Sequence, residues 1–147
     1  MQVENNYINM ITFGEIHRHL LQYDIRPSQQ RTSVMGYLMQ YKSHPTVDEI
    51  YNAISPDIPT LSKTTVYNTL NLFVKKGAAL ALTLDDKNVR YDANVSNHAH
   101  LICTKCGKVY DIFGLDSSLY KLPKMEGFTI NAVEISYYGI CKACKES

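Results

Sequence analysis

The chain of 147 residues has no long apolar run and almost no excess of charge of one sign. No stretch approaches the ~18 consecutive apolar residues of a membrane-spanning helix, so we expect no membrane partner. Lysine and arginine number 15 against 14 aspartate and glutamate residues, which excludes a strongly basic nucleic-acid coat. The first residues lack a basic segment followed by an apolar one, so we expect no signal peptide and a cytoplasmic protein.

Internal repeats and low-complexity segments are also missing. Hydrophobic residues make up 45% of the chain and charged residues 20%, which is typical of a folded globular protein rather than a disordered segment or a coiled-coil rod. At about 100–200 residues per domain, the length allows one domain or two small ones.

The N-terminal part predicts four helices, because apolar residues recur at spacings of three and four. Ser28, Thr46 and Ser62 are the predicted N-caps of the second, third and fourth helices, and Glu49 completes a capping box with Thr46. After Gly77 the apolar residues alternate up to Leu84, which predicts a hairpin that returns over residues 89–92. Four helices followed by a hairpin indicate a winged helix-turn-helix domain.

The fold class that we predict is α+β, with two domains. The N-terminal winged helix-turn-helix domain spans 1–92, a hinge spans 93–99, and a small C-terminal α/β domain spans 100–147. In the C-terminal domain we expect two short strands near the first cysteines, a short helix over 116–124 and a β-rich run over 128–138.

The four cysteines form two Cys-x-x-Cys pairs, Cys103/Cys106 and Cys141/Cys144. In a reducing compartment this spacing indicates a metal site rather than a disulfide framework. Four thiolates suit tetrahedral zinc, and such a site would stabilise a domain too small to bury a large core. A rubredoxin-like iron centre is the alternative; it would make the chain a metal-storage or electron-transfer protein and leave its N-terminal half without a role.

Histidines and aspartates lie near the predicted domain boundary. His98 and His100 alternate on a predicted strand and so point the same way, with Asp92 upstream and Asp111 on the neighbouring strand. Spacing alone leaves open whether these are metal ligands or surface groups, and His44, which precedes a proline, is by itself an ordinary turn residue.

The fourth helix has the features of a DNA recognition helix. Its apolar residues face the core, so Lys63, Thr64, Tyr67 and Asn68 face outward on the first turns, which a recognition helix inserts into the major groove. The Asn68 amide suits adenine, and Thr64 and Tyr67 suit thymine methyl groups.

Three further basic residues were considered as DNA contacts. Arg31 adds positive charge to the second helix, and Lys87 in the hairpin turn is within reach of a phosphate or the minor groove. For Arg90, the sequence leaves open a structural role at the hairpin and a DNA contact.

Several motifs follow one another along residues 15–145: RPSQQR at 26–31, HPTVDEIY at 44–51, TTVYNTL at 64–70, RYD at 90–92, HAHLIC at 98–103 and YGIC at 138–141. In this order they resemble the ferric uptake regulator family of bacterial metal-dependent repressors. The resemblance implies a homodimer that binds A·T-rich operator DNA, with no enzymatic activity and no small-molecule substrate.

The resemblance also implies two metals. Structural Zn(II) would occupy the four cysteines. A regulatory Fe(II) or Mn(II), replaceable in vitro by Zn(II), Co(II) or Ni(II), would take nitrogen and oxygen donors from His44, Asp92, His98, His100 and Asp111.

Details of the motifs resemble the peroxide-sensing branch of the family most closely. Aspartate at positions 92 and 111 and Asn68 are typical of that branch, and Ala99, Val133 and Asn97 replace ligands of a further metal site found in iron-uptake members. Membership of this branch implies that iron-driven oxidation of His44 or His98 releases the metal and the operator. The alternative is an iron-uptake, zinc or manganese regulator that responds to free metal.

Overall fold

The computed structural model describes residues 11–84 and 88–147 and divides the chain between Val95 and Ser96 into two compact units. This boundary lies within the stretch 93–99. Across the described residues, every helix is too short or too polar to cross a bilayer.

The N-terminal unit has the order of elements expected of a winged helix-turn-helix domain. Its elements are α1 (Phe13–Gln22), α2 (Gln29–Gln40), α3 (Val47–Ile54), a 3₁₀ turn (Ser55–Asp57), α4 (Lys63–Lys75), β1 (Leu80–Leu82) and β2 (Arg90–Asp92).

The predicted N-caps are confirmed. Ser28 and Ser62 accept backbone N–H bonds at the starts of α2 and α4, and Thr46 and Glu49 form the capping box of α3. The helix α4 ends at Lys75, and Gly77 soon after has φ +79°, a left-handed conformation that glycine adopts without strain.

The core of the N-terminal unit is built around α4. Three of its side chains are fully buried and pack with apolar residues of the other helices: Val66, Leu70 and Phe73 with Leu20, Val34, Met35 and Ile50. Burying one side of α4 leaves the opposite side at the surface.

The hairpin is shorter than predicted. β1 and β2 pair antiparallel, with Leu82 opposite Arg90 at the open end, so the strand stops before Leu84, although that side chain is still buried. Lys87, a predicted DNA contact in the turn, lies outside the described residues.

The C-terminal unit is built on a mixed three-stranded sheet. Its elements are β3 (Ala99–Cys103), β4 (Val109–Ile112), a 3₁₀ turn (Ser117–Tyr120), β5 (Ser136–Gly139) and α5 (Lys142–Lys145). The order is β4-β3-β5, with β3 antiparallel to β4 and parallel to β5.

Two predictions for this unit were too long. The helix over 116–124 is only the 3₁₀ turn, capped by Asp116, because Pro123 disfavours helical backbone in the residue before it. The β-rich run yields a strand only from Ser136, since β-propensity reflects a fit to a pleated surface and becomes a strand only where a partner edge is available.

We predict that Leu70→Ala destabilises the N-terminal unit by about 2–5 kcal/mol, because it removes a fully buried side chain and leaves a cavity. Urea unfolding followed by helical circular dichroism measures the loss. The matched control is Leu21→Ala on the exposed face of α1, where we expect a change within about 0.5 kcal/mol. Equal losses in the two variants would contradict this packing.

Candidate functional site

The four cysteines form one cluster in the C-terminal unit. Cys103 ends β3, Cys106 follows in the turn, Cys141 caps α5 and Cys144 lies within α5. Their sulfur atoms all lie within 4.8 Å of one another. The parallel pairing of β3 with β5 sets Cys103 opposite Gly139 and so brings together two cysteine pairs that are distant in sequence.

The surroundings of these sulfur atoms favour thiolate. Backbone N–H groups of Cys141 and Cys106 donate to the Cys103 sulfur at 3.3 and 3.5 Å and lower the pKa of Cys103 to about 6. The hydrogen bond to Cys141 raises the pKa of the Cys144 thiol to about 12, since neighbouring sulfurs cannot all be anionic without a cation. Four clustered sulfur donors fit the ligand preference of zinc.

Sequence reasoning missed Tyr110 on β4. Its hydroxyl donates to the Cys141 sulfur, which raises the pKa of Tyr110 to about 12 and lowers that of Cys141. This bond supports the thiolate as an outer contact of the site. Spacing gives no signal for it, because it depends on where α5 packs relative to β4.

In the N-terminal unit, one predicted imidazole and one predicted carboxylate meet. His44, in the loop between α2 and α3, places its Nε2 3.4 Å from Oδ2 of Asp92 at the end of β2, and both side chains are buried. The other oxygen of Asp92 accepts the N–H of Asn94 at 2.8 Å. The pair therefore offers a nitrogen and an oxygen donor at one point.

In the C-terminal unit, two imidazoles converge on one carboxylate. The Asp111 Oδ1 atom lies 3.5 Å from His98 Nε2 and 3.4 Å from His100 Nε2. His100 is directly opposite Asp111 across β3 and β4, as predicted, whereas His98 lies just before β3 rather than on it. The His98 Nδ1 atom is 2.7 Å from the Ser96 carbonyl, which selects the tautomer with Nε2 free to bind a cation.

The predicted recognition residues share one exposed face of α4: Lys63, Thr64, Tyr67 and Asn68. Lys63 Nζ also lies 3.3 Å from Oδ1 of Asp48 on α3, in an exposed ion pair of little strength. Replacing that contact by a phosphate would cost little, so the lysine stays available.

Two shallow hollows lie beside this face. Arg31 and Asn68 line one of about 180 Å³ between α2 and α4, and Arg31 Nη1 donates to the Arg26 carbonyl at 2.9 Å. Tyr67 lines the other, of about 210 Å³, between α3 and the hairpin. The surface around α4 is therefore contoured rather than flat.

Comparison with known proteins gives a consistent result. The chain matches the profile of the ferric uptake regulator family over residues 22–138. A Staphylococcus epidermidis protein named peroxide-responsive repressor PerR is 41% identical over 124 residues, which are 83% of each chain.

Two solved structures are similar to this chain. The Campylobacter jejuni peroxide stress regulator has a TM-score of 0.63 and 28% identity, covering 92% of this chain and 100% of that one. The Helicobacter pylori ferric uptake regulator Fur has a TM-score of 0.67, covering 94% and 97%, and at 22% identity it supports the fold alone. With a family profile and a close relative matching most of its length, the chain belongs to the ferric uptake regulator family.

Proposed function

We propose that this chain is a cytoplasmic, metal-dependent transcriptional repressor that releases its operator when peroxide oxidises a ligand of the regulatory metal. The observation that carries the proposal is the pairing of imidazole nitrogens with Asp92 and Asp111, each at 3.4–3.5 Å. Curated relatives named peroxide-responsive repressors support the peroxide response, as do the two aspartates typical of that branch.

The proposed regulatory ligands are three imidazoles and two carboxylates: His44, Asp92, His98, His100 and Asp111. This mixed nitrogen and oxygen set suits Fe(II) and Mn(II), and also Co(II), Ni(II) or Zn(II) in vitro. Because the donors come from both sides of the Val95–Ser96 boundary, metal binding would favour the arrangement of the two units that binds DNA.

Bound Fe(II) would supply the electrons that reduce hydrogen peroxide, and one oxygen atom would be added to His44 or His98. An oxidised imidazole binds a metal poorly, so the remaining donors would hold the ion less tightly. Mn(II) at the same ligands does not drive this oxidation, so the manganese form would stay on the operator.

The four cysteines are proposed to hold structural Zn(II). Support comes from the clustered sulfurs and the lowered pKa of Cys103. The metal would join β3 to the segment after β5 in a unit with few buried residues.

Operator DNA is the proposed partner, bound by a homodimer with one α4 in each of two successive major grooves. The exposed Lys63, Thr64, Tyr67 and Asn68 support this role, with Arg31 at the edge of the same surface. Asparagine and thymine-contacting residues favour A·T-rich sites. Lys87 remains a proposed backbone contact.

The peroxide response is tested with a duplex selected from an A·T-rich pool by the Mn(II)-loaded protein. After a brief dose of hydrogen peroxide, we expect the Fe(II) form to release it and to gain one oxygen atom on a peptide containing His44 or His98. The Mn(II) form should remain bound and unmodified. If both forms stay bound, and affinity follows free metal alone, the chain is a metal-uptake regulator instead.

The control for this test is a pair of histidine variants. His44→Ala should lose metal-activated DNA binding and keep its zinc, whereas His17→Ala on α1 should behave as the wild type. Unchanged activation in His44→Ala would remove His44 from the regulatory site.

The zinc proposal is tested by replacing one cysteine of each pair, Cys103→Ser with Cys141→Ser. We expect loss of the single zinc equivalent and unfolding of the C-terminal unit, because structural zinc contributes about 10–16 kcal/mol of apparent folding free energy. Atomic absorption and near-ultraviolet circular dichroism measure the two effects. A strong chelator on the wild type should reproduce them, and retention of stoichiometric zinc by the variant would contradict the site.

Base recognition is tested with Asn68→Ala. We expect a loss of about 1–3 kcal/mol for the selected duplex and none for unrelated DNA, because an amide that reads a base edge contributes only to specific binding. The matched control is Asn71→Ala, one turn further along α4 and also exposed. Equal losses on both duplexes would contradict base readout by Asn68.

A further inference from the structure

The Arg90 side chain ties β2 to the loop that carries His44. Its Nη1 donates to the His44 carbonyl at 3.0 Å and lies 3.9 Å from Oε1 of Glu49. The other oxygen of Glu49 accepts the N–H of Thr46 in the α3 capping box. One arginine therefore contacts both the main chain of a proposed ligand and the carboxylate that caps α3.

The main chain strengthens the same connection. An isolated β-bridge pairs Thr46 with Arg90, and the Tyr91 N–H donates to the Pro45 carbonyl at 3.0 Å. The loop before α3 is thus held along β2 by backbone and side-chain bonds together.

The His44 backbone needs such support. Its φ of +53° lies in the left-handed region, which residues with a β-carbon rarely adopt. Arg90 and Asp92 are two apart on β2 and share a face of the strand. From that face, Arg90 binds the His44 carbonyl with a charge-assisted hydrogen bond, and Asp92 meets the His44 imidazole.

We propose that Arg90 is a positioning residue for the regulatory metal rather than a DNA contact. It fixes the His44 main chain so that the imidazole stays beside Asp92, and it links this pair to the start of α3. The proposal rests on the proposed role of His44 and Asp92 as ligands.

The first test measures Mn(II) affinity by calorimetric titration of the full-length, zinc-loaded protein without DNA. We expect Arg90→Gln to weaken binding about tenfold, because the loop is then free to leave the strained conformation. The matched control, Arg18→Gln on the exposed face of α1, should bind Mn(II) as the wild type. Binding by Arg90→Gln within twofold of the wild type would overturn the proposal.

The second test separates positioning from phosphate contact. At saturating Mn(II), Arg90→Gln should recover operator affinity and keep the wild-type dependence of affinity on salt. A lost phosphate contact would instead lower the slope of log K against log salt by about 0.9 per site at any metal concentration. A reduced slope with unchanged Mn(II) affinity would assign Arg90 to DNA.

Two further variants keep the tests decisive. Glu49→Gln preserves the capping box and removes only the half-exposed charge, so we expect less than threefold weaker Mn(II) binding. If Arg90→Gln does not fold by circular dichroism, Arg90→Lys replaces it and should show a smaller but measurable loss, and wild-type affinity there would overturn the proposal. Wild-type Mn(II) affinity in His44→Ala would contradict the regulatory site itself, and is distinguishable because Arg90 is intact.

Discussion

The hydrogen bonds between β2 and the loop before α3 determine where the ligands of the N-terminal unit lie. Backbone bonds at Pro45 and the side chain of Arg90 hold this loop against the strand that ends at Asp92. The same contacts adjoin the N-cap of α3, so the His44–Asp92 pair and the helices that present α4 form one packed body. A change at the proposed ligands is therefore transmitted to the helices through short, buried contacts.

The C-terminal unit depends on a different constraint. Its sheet joins β3 to β5 in parallel across a long irregular connection, and many of its large apolar side chains are exposed, including Phe113, Phe128 and Tyr138. Burial contributes little stability to so small a unit, so a cross-link at the end of the β3–β5 pairing has a large effect. The cysteine cluster lies at that end, whereas Asp111 and His100 meet further back on the same sheet.

The sequence was most informative where the chemistry is local. Caps at Ser28, Thr46 and Ser62 define their own helix starts, and the register of His100 with Asp111 follows from a short turn between neighbouring strands. It was least informative for the 128–138 run, where the strand depends on a partner distant in sequence. Arg90 remained ambiguous for a related reason: its carbonyl acceptor is 46 positions away, and no periodicity reports such a contact.

The distribution of the proposed donors explains how a metal can act as a switch. The N-terminal unit contributes one imidazole and one carboxylate, and the C-terminal unit two imidazoles and one carboxylate, so neither set alone satisfies a five-donor ion. Affinity then depends on both sets acting together, and the metal favours only the arrangement that permits it. Within this scheme His44 is the most sensitive donor, because it is held in a left-handed backbone conformation by its neighbours, whereas His98 is fixed by its bond to Ser96.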